Sequence, residues 1–105
     1  PAACKCWGFT TGGGTPVLAT PSYNMTSITD TAAGRLTVTI ATDFSDANYA
    51  VAFGGTTTNS TTAVKILAVN TKAAGSFEID SYSAVTPTLS DIVVGFDWAC
   101  FGDQA

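Results

Sequence analysis

The feature that most limits what this chain can become is an unbroken alternation along residues 35–42, where Leu36, Val38 and Ile40 take turns with Thr37, Thr39 and Ala41. Side chains on a strand point to opposite faces in turn, so a period of two gathers the three aliphatics on one side. On a helix the same spacing would scatter them around the axis. A second run behaves alike, with Tyr49, Val51 and Phe53 alternating with Ala50 and Ala52. The breaks at 30–34 and 43–48 carry the Asp, Ser, Asn and Gly that favour turns. With a third, less regular run at 23–29, residues 23–53 read as a β-meander, and no catalytic motif lies within it.

The rest of the chain continues the pattern. Residues 1–9 contain a short strand with Trp7 and Phe9 on one side, and the TTGGGTP that follows reads as a hairpin loop. A phosphate cradle would need a following helix and usually a lysine, which this stretch lacks. Residues 54–62, GGTTTNSTT, have no charge and no apolar anchor and are expected to form an exposed loop. Residues 77–83 alternate Phe77 and Ile79 with Glu78, Asp80 and Tyr82. Two segments are apolar on both parities: 63–70, and 91–101, where Ile92, Val94, Phe96, Trp98 and Cys100 oppose Val93, Ala99 and Phe101. Strands of that kind call for a central position or for cover by a partner subunit. No stretch shows sustained helical spacing. About seven or eight strands, with turns about every ten residues, predict an all-β antiparallel β-sandwich. Residues 1–105 form one domain in this reading.

Composition narrows the function classes. Charged residues make up only 11% of the chain, well under the roughly 25% usual in soluble proteins, so neutral hydroxyls must carry much of the surface. A partner that buries surface is the other way to reconcile so little charge with 46% hydrophobic residues. The net charge of -4 and the four basic residues Lys5, Arg35, Lys65 and Lys72 exclude a nucleic-acid partner, which needs a basic patch. No apolar run approaches the roughly 20 residues that span a bilayer, and no membrane insertion is expected.

Cys4, Cys6 and Cys100 form an odd set, which favours reduced, buried thiols over a disulfide. Cys4 and Cys6 share a face on a strand, so one of them would reach Cys100 if the terminal strands are neighbours. With no histidine in the chain, a metal site would have to complete three thiolates with a carboxylate, and no metal or other cofactor is expected.

Candidate chemistry is sparse. The absence of histidine excludes Ser-His-Asp and Cys-His catalysis within the chain. Paired carboxylates occur at Asp43 and Asp46 in one turn and at Glu78 and Asp80 on one strand face. Turn aspartates ordinarily bond to nearby backbone, and strand carboxylates ordinarily face water. Asp43, Asp46 and Asn48 offer oxygen ligands, but not at the spacing of a twelve-residue calcium loop. Asn24-Met25-Thr26 and Asn59-Ser60-Thr61 match the glycosylation triplet, a short and common pattern. Trp7, Tyr23, Tyr49, Tyr82 and Trp98 are the aromatics available to stack on a saccharide. Tyr49 and Trp98 read as core residues, and Tyr82, opposite in parity to Phe77 and Ile79, as the more exposed.

The order of these pieces resembles a known family. Lys5 and Trp7, then Tyr23 to Asp30 as YNMTSITD, Gly34 ahead of the alternating strand, and Asp46-Ala47-Asn48-Tyr49-Ala50 together resemble the C-terminal domains of tail-fibre and other fibre proteins of tailed bacteriophages. The likeness covers the first half well; the second half agrees in strand pattern and in the closing Phe101-Gly102. Two positions depart from it: Cys6 stands where a small or apolar residue is usual, and the turn reads Thr31-Ala32-Ala33-Gly34 instead of an Asn-Gly-rich version.

The resemblance implies an intertwined or side-by-side homotrimer at the tip of a longer virion fibre, assembled in the host bacterial cytoplasm. Its partners would be copies of itself, other virion fibre or tail proteins, and a host surface glycan or protein receptor. Receptor contact is then expected from the loops at 54–62 and 84–90, through Thr56, Thr57, Thr58, Asn59, Tyr82, Thr86 and Thr88. The trimer interface is expected at Leu67, Val69, Val93 and Phe101, and no catalytic residue is expected. A purely structural capsid or tail knob is the alternative, and a carboxylate-based polysaccharide depolymerase comes third.

Overall fold

In a computed structural model, residues 3–10, 17–55, 65–83, 88–90 and 95–102 are described. They form seven strands: β1 (Ala3–Thr10), β2 (Met25–Ala32), β3 (Arg35–Ile40), β4 (Ala50–Gly55), β5 (Lys65–Ala73), β6 (Ser76–Ser83) and β7 (Phe96–Gly102). Two antiparallel sheets result, one in the order β1-β7-β4 and the other in the order β2-β3-β6-β5. The expected all-β antiparallel architecture is therefore present. The last strand was expected to start at residue 91; its described part begins at Phe96, and 91–94 lie outside the described residues.

Alternation decides which side of each strand is covered. Leu36, Val38 and Ile40 of β3, Phe77 and Ile79 of β6, and Phe96, Trp98 and Cys100 of β7 all point into one core. Cys6, Phe44 and Tyr49 complete it, with Leu18, Met25, Ile28, Val51, Phe53, Leu67 and Val69 packed around. Because both sheets contribute, this core holds them together. Removing those side chains from water supplies roughly 1.5–3 kcal/mol for each large residue.

Several boundaries differ from the sequence expectation. Gly54 and Gly55, expected in a loop, instead extend β4 and pair with Asp97 and Phe96. The strand after Asn24 runs to Ala32, so the bend narrows to Ala33 and Gly34. There Gly34 adopts φ +70°, and a Cβ would sit 2.6 Å from the Ser90 backbone nitrogen, so both conformation and space call for glycine. Phe44 interrupts the turn at 43–48 and is fully part of the core.

β5 occupies an edge, not the centre its two-sided apolar pattern allowed. Leu67 and Val69 face the core of their own chain, while Ile66 faces outward at 55% exposure.

Asn24 explains how β1, the start of β2 and the exit of β3 are held at one corner. It adopts φ 57°, a left-handed conformation that Asn tolerates better than most residues. Its side-chain nitrogen donates to the carbonyls of Lys5 and Thr42 at 3.2 and 3.1 Å, and its oxygen accepts from the Thr42 N–H at 2.7 Å. With both its amide hydrogen-bonding roles committed, Asn24 is a structural clip and a poor glycosylation acceptor in the folded chain.

Candidate functional site

The two outward faces of the molecule differ in chemistry. Outward on the four-stranded sheet lie Thr37 and Thr39, the Arg35 guanidinium, and the carboxylates of Glu78 and Asp80. Arg35 grips Asp80 with two bonds, Nε to Oδ1 at 2.7 Å and Nη2 to Oδ2 at 3.2 Å, and its Nε stands 3.7 Å from Glu78 Oε1. Asn70 Nδ2 donates to Glu78 at 2.5 Å, and the Tyr82 hydroxyl donates to Asp80 Oδ2 at 3.4 Å.

Both carboxylates of this pair are therefore engaged by Arg35. Hydrogen bonding from Arg35 holds the Asp80 carboxyl below its ordinary range, which keeps it ionised, and Asp80 is buried where the sequence led us to expect it in water. At the other acidic pair, Asp46 Oδ1 accepts from the Asn48 N–H at 2.7 Å, a local turn bond.

The three-stranded sheet presents the opposite surface. Its inward positions are Cys6, Gly8 and Thr10 on β1, Phe96, Trp98 and Cys100 on β7, and Val51 and Phe53 on β4. Alternation therefore turns Trp7 and Phe9, Asp97, Ala99 and Phe101, and Ala50 and Ala52 outward. Asp97 is the one charged residue among them. Trp7 is 39% exposed and Phe101 37%. An antiparallel sheet with one face on the core ordinarily gives its other face to polar side chains, and among the described residues this outer face is nearly uncharged instead.

At the edge of that face Trp7 and Tyr23 form a reciprocal backbone pair, each N–H donating to the other's carbonyl at 3.1 and 2.9 Å. Directly opposed residues on antiparallel strands hold their side chains on the same face, so the indole and the phenol project to the same side. Tyr23 is 55% exposed. Of the five aromatics the sequence offers for saccharide stacking, Tyr49 and Trp98 are in the core as expected, Tyr82 is half-buried, and Trp7 and Tyr23 are the accessible ones. Parity in the sequence does not say on which face of which sheet these two residues lie.

The predicted receptor residues fall out as follows. Thr56, Thr57, Thr58, Asn59 and Thr86 lie outside the described residues, as does Val93 of the expected interface. Tyr82 and Thr88 come together at one end of the four-stranded sheet: Tyr82 pairs with Leu89, and the Ser83 N–H donates to the Thr88 carbonyl at 3.0 Å. Lys65 pairs with Ser83 at the same end. The structure thus brings Tyr82 and Thr88 into one neighbourhood and leaves Phe101 on the opposite sheet.

No family model, curated protein or solved structure matches this chain.

Proposed function

We propose that this domain is a non-enzymatic tip of a virion fibre, that it works as a homotrimer, and that it attaches the particle to a host surface glycan or protein. The observation that carries the reading is the nearly uncharged outer face of the three-stranded sheet, built from Phe9, Ala50, Ala52, Ala99 and Phe101. A face of that composition is stable in water when a neighbouring copy covers it. A three-fold ring joins two different patches, and the polar Thr-rich face of the other sheet and the exposed Ile66 supply a second, unlike patch. The fibre-like motif residues support the same reading, because Lys5, Asn24, Gly34 and Tyr49 all act as structural clips and leave the loops to vary. Receptor contact is assigned to Tyr82 and Thr88 together with the sequence segments 56–62 and 84–87.

A second reading is favoured by one observation: the exposed Trp7–Tyr23 pair is itself a surface on which a sugar ring can stack. Sedimentation equilibrium and a host-cell pull-down separate the two. Under the first reading the protein is a trimer at micromolar concentration, and replacing Trp7 and Tyr23 by Ala weakens the trimer. Under the second the same variant keeps its mass and loses cell binding. A monomer that binds no cells defeats both.

A further inference from the structure

Two of the three cysteines are buried together in the core. Cys6 of β1 and Cys100 of β7 are direct partners in the strand register, both are wholly buried, and both are free thiols. Trp7 spends its backbone N–H and C=O on Tyr23, on the side away from β7. Its neighbours along β1 alternate with it, so Cys6 directs its own backbone groups to β7, facing Cys100. Residues opposed in this way have Cα atoms about 5.5 Å apart, inside the roughly 4.4–6.8 Å that a disulfide spans. Both side chains project to the same inward face, as closure requires. Cys4 differs: an irregularity in register between Cys4 and Cys6 leaves Cys4 exposed, its thiol 3.4 Å from the Cys6 carbonyl.

We propose that Cys6 and Cys100 are a two-electron redox pair that closes into a cross-strand disulfide on exposure to a peroxide, with Cys4 left as a free surface thiol. Asymmetry within the pair assigns the roles. Cys6 lies on β1, an edge strand whose opening admits the peroxide, whereas Cys100 lies on the central β7, and the neighbouring Cys100 thiol and Lys5 ammonium hold the Cys6 thiol below its ordinary range.

Cys6 thiolate therefore attacks a peroxide oxygen, the O–O bond breaks, and after protonation Cys6 carries a sulfenic acid while one water leaves. The Cys100 sulfur then attacks the Cys6 sulfur, the S–O bond breaks, and the second water departs with the Cys100 proton. Two thiols and one hydrogen peroxide become one disulfide and two waters, with the peroxide reduced by the two electrons the sulfurs give up. Because β1 and β7 stand at opposite ends of the chain, the bond encloses nearly all of it. The inference does not depend on what the outer faces bind.

The test is a thiol count on the intact protein. Native protein is treated with hydrogen peroxide, quenched in acid, unfolded, alkylated with iodoacetamide and weighed. The expected product has lost two hydrogens and carries one alkyl group, on Cys4, with peptide mapping joining Cys6 to Cys100. Dithiothreitol should restore three alkylation sites. The oxidised form should show an unfolded population lower by on the order of a hundredfold or more under the same denaturant. Cys4→Ser should give the same crosslink, and Cys100→Ser should abolish it. Where Cys100→Ser does not fold, Cys4→Ser decides alone. Three alkylatable thiols after treatment, a crosslink that includes Cys4, or a sulfinic acid at Cys6 without a crosslink would each overturn the proposal.

Discussion

The rings of Phe44 and Tyr49 lie parallel, tilted by only 7° with centroids 4.1 Å apart. A lysine ammonium caps each side of the stack: Lys5 Nζ stands 5.2 Å from the Phe44 centroid and Lys72 Nζ 5.3 Å from the Tyr49 centroid. Four residues from β1, the 43–49 segment and β5 thereby bind the two sheets at one end. The Tyr49 hydroxyl adds contacts to the Ala73 and Ser76 carbonyls at 2.8 and 2.9 Å, and Lys72 Nζ donates to the Tyr49 carbonyl at 2.5 Å. Burial of the ring pushes the Tyr49 phenol well above its ordinary range, so the hydroxyl remains a donor at any pH the fold survives.

Phe44→Ala should destabilise the chain by about 3–5 kcal/mol, the cost of emptying a buried aromatic site. Tyr49→Phe keeps the stack and removes the hydroxyl, and should cost about 1–3 kcal/mol for the carbonyls left short of a donor. Urea titration followed by tryptophan fluorescence measures both, and an unchanged midpoint for Phe44→Ala would contradict the role given to the stack.

Gly34→Ala should lose at least about 1–2 kcal/mol from the left-handed backbone alone, with a further cost from the close approach of Ser90. Changes within 56–62 should spare stability and, under the proposed function, alter attachment. Differential scanning calorimetry together with cell binding tests this division of labour, and the reverse pattern would overturn it.

The pH response follows from the Arg35–Asp80 pair. Asp80 titrates lower in the folded chain than in the unfolded one, so the unfolded chain binds the proton first as pH falls. The stabilisation is complete above the ordinary aspartate range, about 4, and disappears as pH drops through the depressed folded value. Asp80→Asn should flatten the acid limb of the stability profile in acid-urea titrations. A profile identical to that of the parent chain would mean that another carboxylate governs it.

Ala52 is exposed on the outer face of β4. Under the proposed homotrimer, Ala52→Asp introduces a charge there without touching the core, and is expected to shift the sedimenting species from trimer to monomer while the stability of the single chain changes by no more than about 0.5 kcal/mol. A trimer that persists would move the interface elsewhere.

How much of this was legible in advance varies by element. β3 was readable residue by residue, because strict alternation leaves one way to bury Leu36, Val38 and Ile40. β6 was readable in its apolar half, but Asp80 was not: a carboxylate on an outward parity reads as solvated until Arg35, forty-five positions earlier, is placed beside it. Phe44 lies inside the 43–48 stretch read as a turn, and nothing in that short run of Asp and Ser marks it as a core residue.

By itself the sequence determined the local state of the chain: period-two strands, a glycine where φ must be positive, and turns rich in Asp and Asn, all governed by interactions between near neighbours. Which strands meet was decided only by the tertiary structure. The pairing of β1 with β7 joins the first and last strands, sets Cys6 against Cys100, and turns Trp7 and Phe101 to the face away from the core. Those relations depend on contacts between distant residues, whose energies come from packing and register and leave no periodic trace along the chain.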